Sequence, residues 1–165
     1  MKAFGLLLIL SANLLTASSI EIDKEYVKKY TASGQLIMEG WTAQGQKDGY
    51  WKFYDRNGKL ESRGHFSRNL KTGYWYEYKQ GKLIQEGHYR NGKATNWWTF
   101  HNKSGFQKVK MQYRHGKPHG YAMHYKRSRL SMVSEYKDGK LLGQWDSVRS
   151  FKKDHPDFSM SDLSR

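Results

Sequence analysis

An all-β fold is predicted for this chain, an open antiparallel meander of about five β-hairpin repeats in a single twisted layer, and three observations predict it. The first is periodicity. Trp51, Trp75, Trp98, Ala122 and Trp145 stand 24, 23, 24 and 23 residues apart. A second column runs Leu36, Leu60, Leu83, Phe106, Leu130, and a third Tyr54, Tyr78, His101, Tyr125. A fixed period of this length marks one supersecondary unit stacked on itself. The second observation is a pair of glycine columns, Gly45, Asn69, Gly92, Gly116, Gly139 and Gly49, Gly73, Asn96, Gly120, Gly143. Asparagine is among the few residues besides glycine that tolerate positive φ, so both columns are expected to be left-handed turn positions, where glycine in place of Asn69 or Asn96 should be accepted. The third is the material between the turns: short aromatic runs such as GYWKFYD and KLESRGHF, punctuated by Asn57-Gly58 and Asn91-Gly92, which is hairpin chemistry.

Taken in order, the chain opens on Met1-Lys2, an apolar run from Ala3 to Ala17 and Ser18-Ser19. These are the charged, apolar and small-residue sections of a secretory signal peptide, expected over residues 1–19. The run falls short of the ~20 residues a membrane span needs, and Ser11 and Asn13 interrupt it. Residues 20–30 read as a lead-in strand or cap, and residues 31–145 as the repeat domain. Alternation along a strand places Leu60, Ser62, Gly64 and Phe66 on one face, matched one copy later by Leu83, Gln85, Gly87 and Tyr89. That face is expected to carry the core. Gly40, Gly64 and Gly87 leave room for a neighbouring indole to lie flat on the backbone, and the same column reads Lys110 and Ser134 in the later copies. Residues 146–165 lose the period, are polar and contain Pro156, as expected of a C-terminal cap and tail.

The segments GYWKFYDRNGKL, GHYRNGKATNWW and YKDGKLLGQW resemble the MORN-variant repeats of the YwqK type, whose signature is roughly Gly-x-Trp-x-x-Tyr, then Asn-Gly-Lys-Leu, then Gly-x-Tyr-x-x-Gly-Lys. The resemblance covers about residues 30–145. It implies a hairpin-repeat fold in which Trp51, Trp75, Trp98, Trp145, Tyr54, Tyr78 and Tyr125 pack and Gly49, Gly73, Gly120 and Gly143 turn the chain. Such proteins are commonly labelled antitoxins, and MORN repeats in general are associated with protein scaffolding and with phospholipid binding. This chain departs from the pattern in its fourth repeat, at Lys110 and Ala122, and in carrying an export signal.

Charge is unevenly placed. Residues 31–145 hold 21 Lys and Arg against 8 Asp and Glu, a net of +13, while the lead-in and the tail each balance to zero. No acidic residue falls between Glu86 and Glu135, a stretch that contains Arg90, Lys93, Lys103, Lys108, Lys110, Arg114, Lys117, Lys126, Arg127 and Arg129. Solubility is served by mixed charge, so an uninterrupted excess points to a docking zone for an anionic partner. Lysines that keep sheet edges from pairing are the competing explanation, favoured by the turn pairs Gly92-Lys93 and Gly116-Lys117.

Other chemistries find little support. There is no cysteine, hence no disulfide and no thiolate metal site. Histidines one repeat apart, such as His65 and His88, would stand two strand spacings or about 9–10 Å apart, too far to share a metal; His115 and His119 flank one turn but lack a third ligand. No nucleophile elbow, phosphate-cradling loop or paired carboxylates occur, so neither catalytic residues nor a cofactor are expected. Aromatic repeats can also form cages for quaternary ammonium groups, but a positive field would repel such a ligand, and the aromatics read as core. The expectation is a non-catalytic exported protein, periplasmic, outer-surface or secreted, acting as a protein-interaction or scaffold module through a sheet face with a basic zone. The alternatives are peripheral binding to anionic lipid or a cell-surface polymer through the same cations, and a periplasmic antitoxin or immunity role. Nucleic acid suits the charge but not the compartment.

Overall fold

The computed structural model describes residues 23–102 and 104–159, which form one eleven-stranded antiparallel sheet with spatial order equal to chain order. The strands are β1 Lys24–Tyr30, β2 Leu36–Ala43, β3 Gln46–Tyr54, β4 Leu60–Ser67, β5 Leu70–Lys79, β6 Lys82–Arg90, β7 Lys93–His101, β8 Gln107–Arg114, β9 Lys117–Lys126, β10 Arg129–Lys137 and β11 Lys140–Trp145, followed by a short helix α1, Val148–Asp154. The expected open all-β meander is therefore the observed fold. The signal peptide expected over residues 1–19, Lys103 and the last residues of the tail lie outside the described residues.

Tight turns alternate between the two ends of the sheet. At one end, Gln44-Gly45, Arg68-Asn69, Asn91-Gly92, His115-Gly116 and Asp138-Gly139 all carry positive φ at both central residues, the geometry that matches the right-handed twist of flanking strands. These turns are tied in a ladder: the second residue of each donates its N–H to a carbonyl just beyond the previous turn, Asn69 to Lys47 at 2.9 Å, Gly92 to Lys71 at 2.9 Å, Gly116 to Ala94 at 2.8 Å and Gly139 to Pro118 at 2.8 Å.

A second device repeats inside the sheet. Where β3, β5, β7 and β9 pair with the strand before them, each inserts two extra residues, as where Gly40 faces Trp51 but Thr42 faces Lys47. Gly49, Gly73, Asn96 and Gly120 take positive φ in these bulges. An even insertion preserves the alternation of side chains, so Trp51, Trp75, Trp98 and Ala122 stay on one face, here the tryptophan face. Each indole lies on the preceding glycine: a Cβ on Gly40, Gly64 or Gly87 would fall 2.3, 2.4 or 2.3 Å from the ring of Trp51, Trp75 or Trp98. Each Nε1–H then donates to a carbonyl of the preceding strand beside the bulge, that of Trp41 at 2.7 Å, His65 at 3.1 Å and His88 at 3.1 Å. Phe53, Phe66, Tyr89 and Phe100 close around the indoles edge-on or stacked, and Tyr113 is tilted against Trp98. The Lys47 and Lys71 ammonium groups lie over the rings. The three tryptophans are 1, 0 and 3% exposed in a single-layer sheet.

The last repeats depart from the sequence expectation in three ways. Met111, not Lys110, continues the glycine column, because Trp98 faces Met111 and Met111 faces Ala122. A large residue has replaced the glycine where a small one has replaced the tryptophan. Lys110 points to the other face, opposite Thr99 and Met123. Gly143 lacks the positive φ of its column, and β11 inserts one extra residue opposite β10 instead of two. An odd insertion inverts alternation, so Trp145 emerges on the opposite face, across from Val133. There it meets α1. The helix starts at Ser147, whose hydroxyl accepts from the Ser150 N–H at 3.0 Å. Phe151, fully buried, is wedged against Tyr121 and Trp145. The Trp145 Nε1–H donates to Asp154 at 2.7 Å.

Candidate interaction surface

The face opposite the tryptophans is built from residues flanking the bulges. Cross-strand register places Lys28, Glu39, Lys52, Arg63, Tyr76, Glu86, Thr99, Lys110, Met123, Val133 and Trp145 in one row across all eleven strands. The third sequence column, Tyr54, Tyr78, His101 and Tyr125, lies beside it. Charges alternate with rings here, and most are internally compensated. Tyr54 donates its hydroxyl to Glu39 at 2.6 Å, with Lys52 at 3.5 Å and Lys28 at 3.8 Å. The Tyr54 hydrogen bond outweighs the burial of Glu39 and holds its carboxyl below the usual range. Burial, then Glu39, pushes the Tyr54 phenol up. Glu86 pairs with His101 at 3.2 Å. Burial, followed by Glu86, pushes Tyr74 up to about 12. Among the described residues the Arg63 guanidinium has no carboxylate partner, and it lies over Tyr76 at 4.6 Å and Tyr78 at 5.9 Å.

A second row on this tyrosine face runs nearer the tied turns: Tyr26, Trp41, Tyr50, His65, Tyr74, His88, Trp97, Gln112 and Tyr121. Neighbours meet edge to face, Tyr26 with Trp41 at 5.2 Å, Tyr50 with His65 at 5.0 Å and Tyr74 with His88 at 4.7 Å. At its last station Tyr121 is covered by Phe151 and Phe158. At its first, Tyr26 and Trp41 are each 42% exposed. Tyr50, Tyr74, Trp97 and Tyr121 immediately precede the tryptophan column in sequence. The period was therefore visible, but bulge parity, which assigns these residues to a face of their own, was not.

The structure divides the ten sequence-predicted cations. Arg90 faces Lys93 and Arg114 faces Lys117, all four on the tyrosine face beside the tied turns. Between them lies a groove of about 510 Å³ lined by Arg90, Asn91, Lys93, Ala94, Thr95, Arg114 and His115. Lys126, Arg127 and Arg129 surround the β9–β10 turn at the opposite end of the sheet. Lys108 lies near that end with its ammonium 5.1 Å from the Tyr125 ring, and Lys110 sits mid-sheet. The stretch is thus spread over both ends of the sheet, because a meander carries successive turns to opposite ends. Sequence reasoning missed Lys137 and Lys140, which face one another on the next hairpin along. They fall beyond Glu135, where the acid-free stretch ended. A counter-ion also comes from outside the stretch: Asp138 reaches Arg114 at 3.5 Å and His119 at 3.1 Å.

Among the described residues, no three His, Asp or Glu side chains converge as a metal site, and His119 is held by Asp138. No helix among them is long and apolar enough to cross a membrane. No protein-family profile matches the chain, and no curated protein matches it in sequence.

Proposed function

We propose that this chain is a non-catalytic, exported protein-interaction module of the MORN-variant type, acting through its tyrosine face. The two sheet faces divide the labour. Tryptophans on one face are consumed by the fold, each locked between a glycine and a backbone carbonyl. The other presents tyrosines, Trp41, Trp97 and Arg63, which among the described residues pairs with no carboxylate. Tyr, Trp and Arg are the residues in which binding energy at protein interfaces concentrates, because they supply large rigid contact area together with hydrogen bonds. The single observation that carries the reading is the pair Tyr26 and Trp41. Among the described residues both rings stand about two-fifths exposed, at the end of a row whose other end is covered by the protein's own helix.

The test is capture from an extract of the protein's own cells on immobilised mature chain, compared with a Tyr26→Ser, Trp41→Ser, His65→Ser variant of unchanged circular dichroism. A stoichiometric protein retained by the parent and lost from the variant is the expected result. Retention of that protein by both, or recovery of lipid or polymer alone, overturns the assignment to this face.

A further inference from the structure

Three consecutive hairpins at the tied end of the sheet set like charges directly opposite one another: Arg90 against Lys93, Arg114 against Lys117, and Lys137 against Lys140. All six side chains are exposed, and register puts them on the tyrosine face. Like charges directly across an antiparallel pair destabilise it. The two earlier hairpins at this end hold Ala43 against Gln46 and Ser67 against Leu70, so the turn geometry does not require cations there. Asp138 relieves Arg114; among the described residues the other five make no ion pair. The sheet maintains a line of positive charge across six adjacent strands, countered among the described residues at Arg114 alone, about 24 Å at ~4.8 Å per strand.

We infer that this line binds an extended acidic segment of a protein partner, laid across the strands. This rests on the protein-interaction reading of the tyrosine face and names the chemistry of what binds along its margin. A line of charge fits a chain better than a membrane, which would engage a plane. About seven residues of extended polypeptide span the distance at ~3.3 Å each. The groove between the first two cation pairs adds Asn91, Thr95 and His115, which can hydrogen-bond to carboxylates or to main chain. Single-stranded nucleic acid would need free ring faces on which bases could stack. The rings beside the line are half-buried Trp97 and Tyr121, the latter already covered by Phe151 and Phe158.

The experiment follows fluorescence anisotropy of a labelled peptide alternating Glu and Ser, titrated with the full chain at low and physiological salt. Binding that weakens with salt is expected, with a loss of about tenfold or more in the variant Lys93→Glu, Lys117→Glu, Lys140→Glu. The same variant should melt at a higher temperature than the parent, since each glutamate now faces Arg90, Arg114 or Lys137. A merely solubilising line would not give gain of stability together with loss of binding. The control Lys59→Glu, Lys82→Glu, Lys126→Glu carries the same net charge with the substitutions at the opposite end, and should retain binding. Equal loss in both variants, an unchanged or lower melting temperature in the first, or binding of oligothymidine or anionic vesicles without binding of the peptide would each overturn the inference. Capture of a partner through Tyr26 and Trp41 alongside failure of the peptide would remove this inference alone and leave the interaction module standing.

Discussion

A methyl group on Gly64 would sit 2.4 Å from the Trp75 indole, and the ring has nowhere to go because its Nε1–H is already bonded to the His65 carbonyl. Gly64→Ala is therefore expected to destabilise by on the order of 2–3 kcal/mol, the cost of overpacking a filled site. Gly81→Ala has open space around it but positive φ, and should cost only about 1 kcal/mol. The two asparagines of the turn columns, equivalent by sequence, separate in the structure. Asn69 Oδ1 accepts from the Lys47 N–H at 2.7 Å and so ties two turns together. Among the described residues the Asn96 side chain accepts only from the Thr95 hydroxyl, at 3.5 Å. Asn96→Gly should be neutral or slightly stabilising, whereas Asn69→Gly should lose about 1 kcal/mol with the hydrogen bond. Urea midpoints for these four variants rank the predictions directly.

Strands in this protein are distinguished less by composition than by how many residues their bulges insert. β3, β5, β7 and β9 insert two and keep Trp51, Trp75, Trp98 and Ala122 on the tryptophan face; β11 inserts one and presents Trp145 to α1. A helix of seven residues is far too short to hold itself together, so α1 depends on Phe151, Trp145 and Tyr121. Trp145→Ala should remove both the ring on which Phe151 packs and the Nε1–H donor to Asp154, and so undock the helix. The expected readout is rapid proteolysis after Arg149 or Lys152 while the sheet signal in circular dichroism persists. Continued protection would show that the helix docks without Trp145. Phe151→Ala should cost about 3–5 kcal/mol, the range for emptying a buried aromatic site.

Across the whole molecule, stability should describe a plateau bounded by named groups. Burial lowers the His124 pKa from the ordinary 6.5, and the Tyr54 hydrogen bond lowers that of Glu39. Groups depressed on folding contribute stability above their unfolded values and lose it as pH falls through the folded ones, so the acid side should slope below pH 6.5 and again through the carboxylate range. Tyr54 and Tyr74 are raised, the latter from 10.0 to about 12. Their contribution is present below pH 10 and disappears as pH rises through the folded values. Melting temperature measured against pH should show both shoulders. His124→Gln should flatten the first acid slope and leave the alkaline one in place.

How much was legible beforehand follows from what a repeat does and does not encode. The period, the turn residues, the antiparallel pairing and the glycine seats for Trp51, Trp75 and Trp98 depend on local chain geometry, and the sequence by itself determined them. Positive φ selects Gly and Asn locally, and alternation needs only nearest neighbours. Tertiary structure alone decided which face each column occupies, because a bulge of one or two residues leaves the spacing of the columns intact while reversing or preserving the direction of every side chain beyond it. Lys110 and Met111 exchange roles for this reason, and Trp145 leaves its column. Tertiary structure also decided where the cations go. A meander sends residues twelve apart to opposite ends and brings Arg90, Arg114 and Lys137, roughly a repeat apart in the chain, into one line. Charge counted along the sequence could not show it, since electrostatic interaction depends on distance through space.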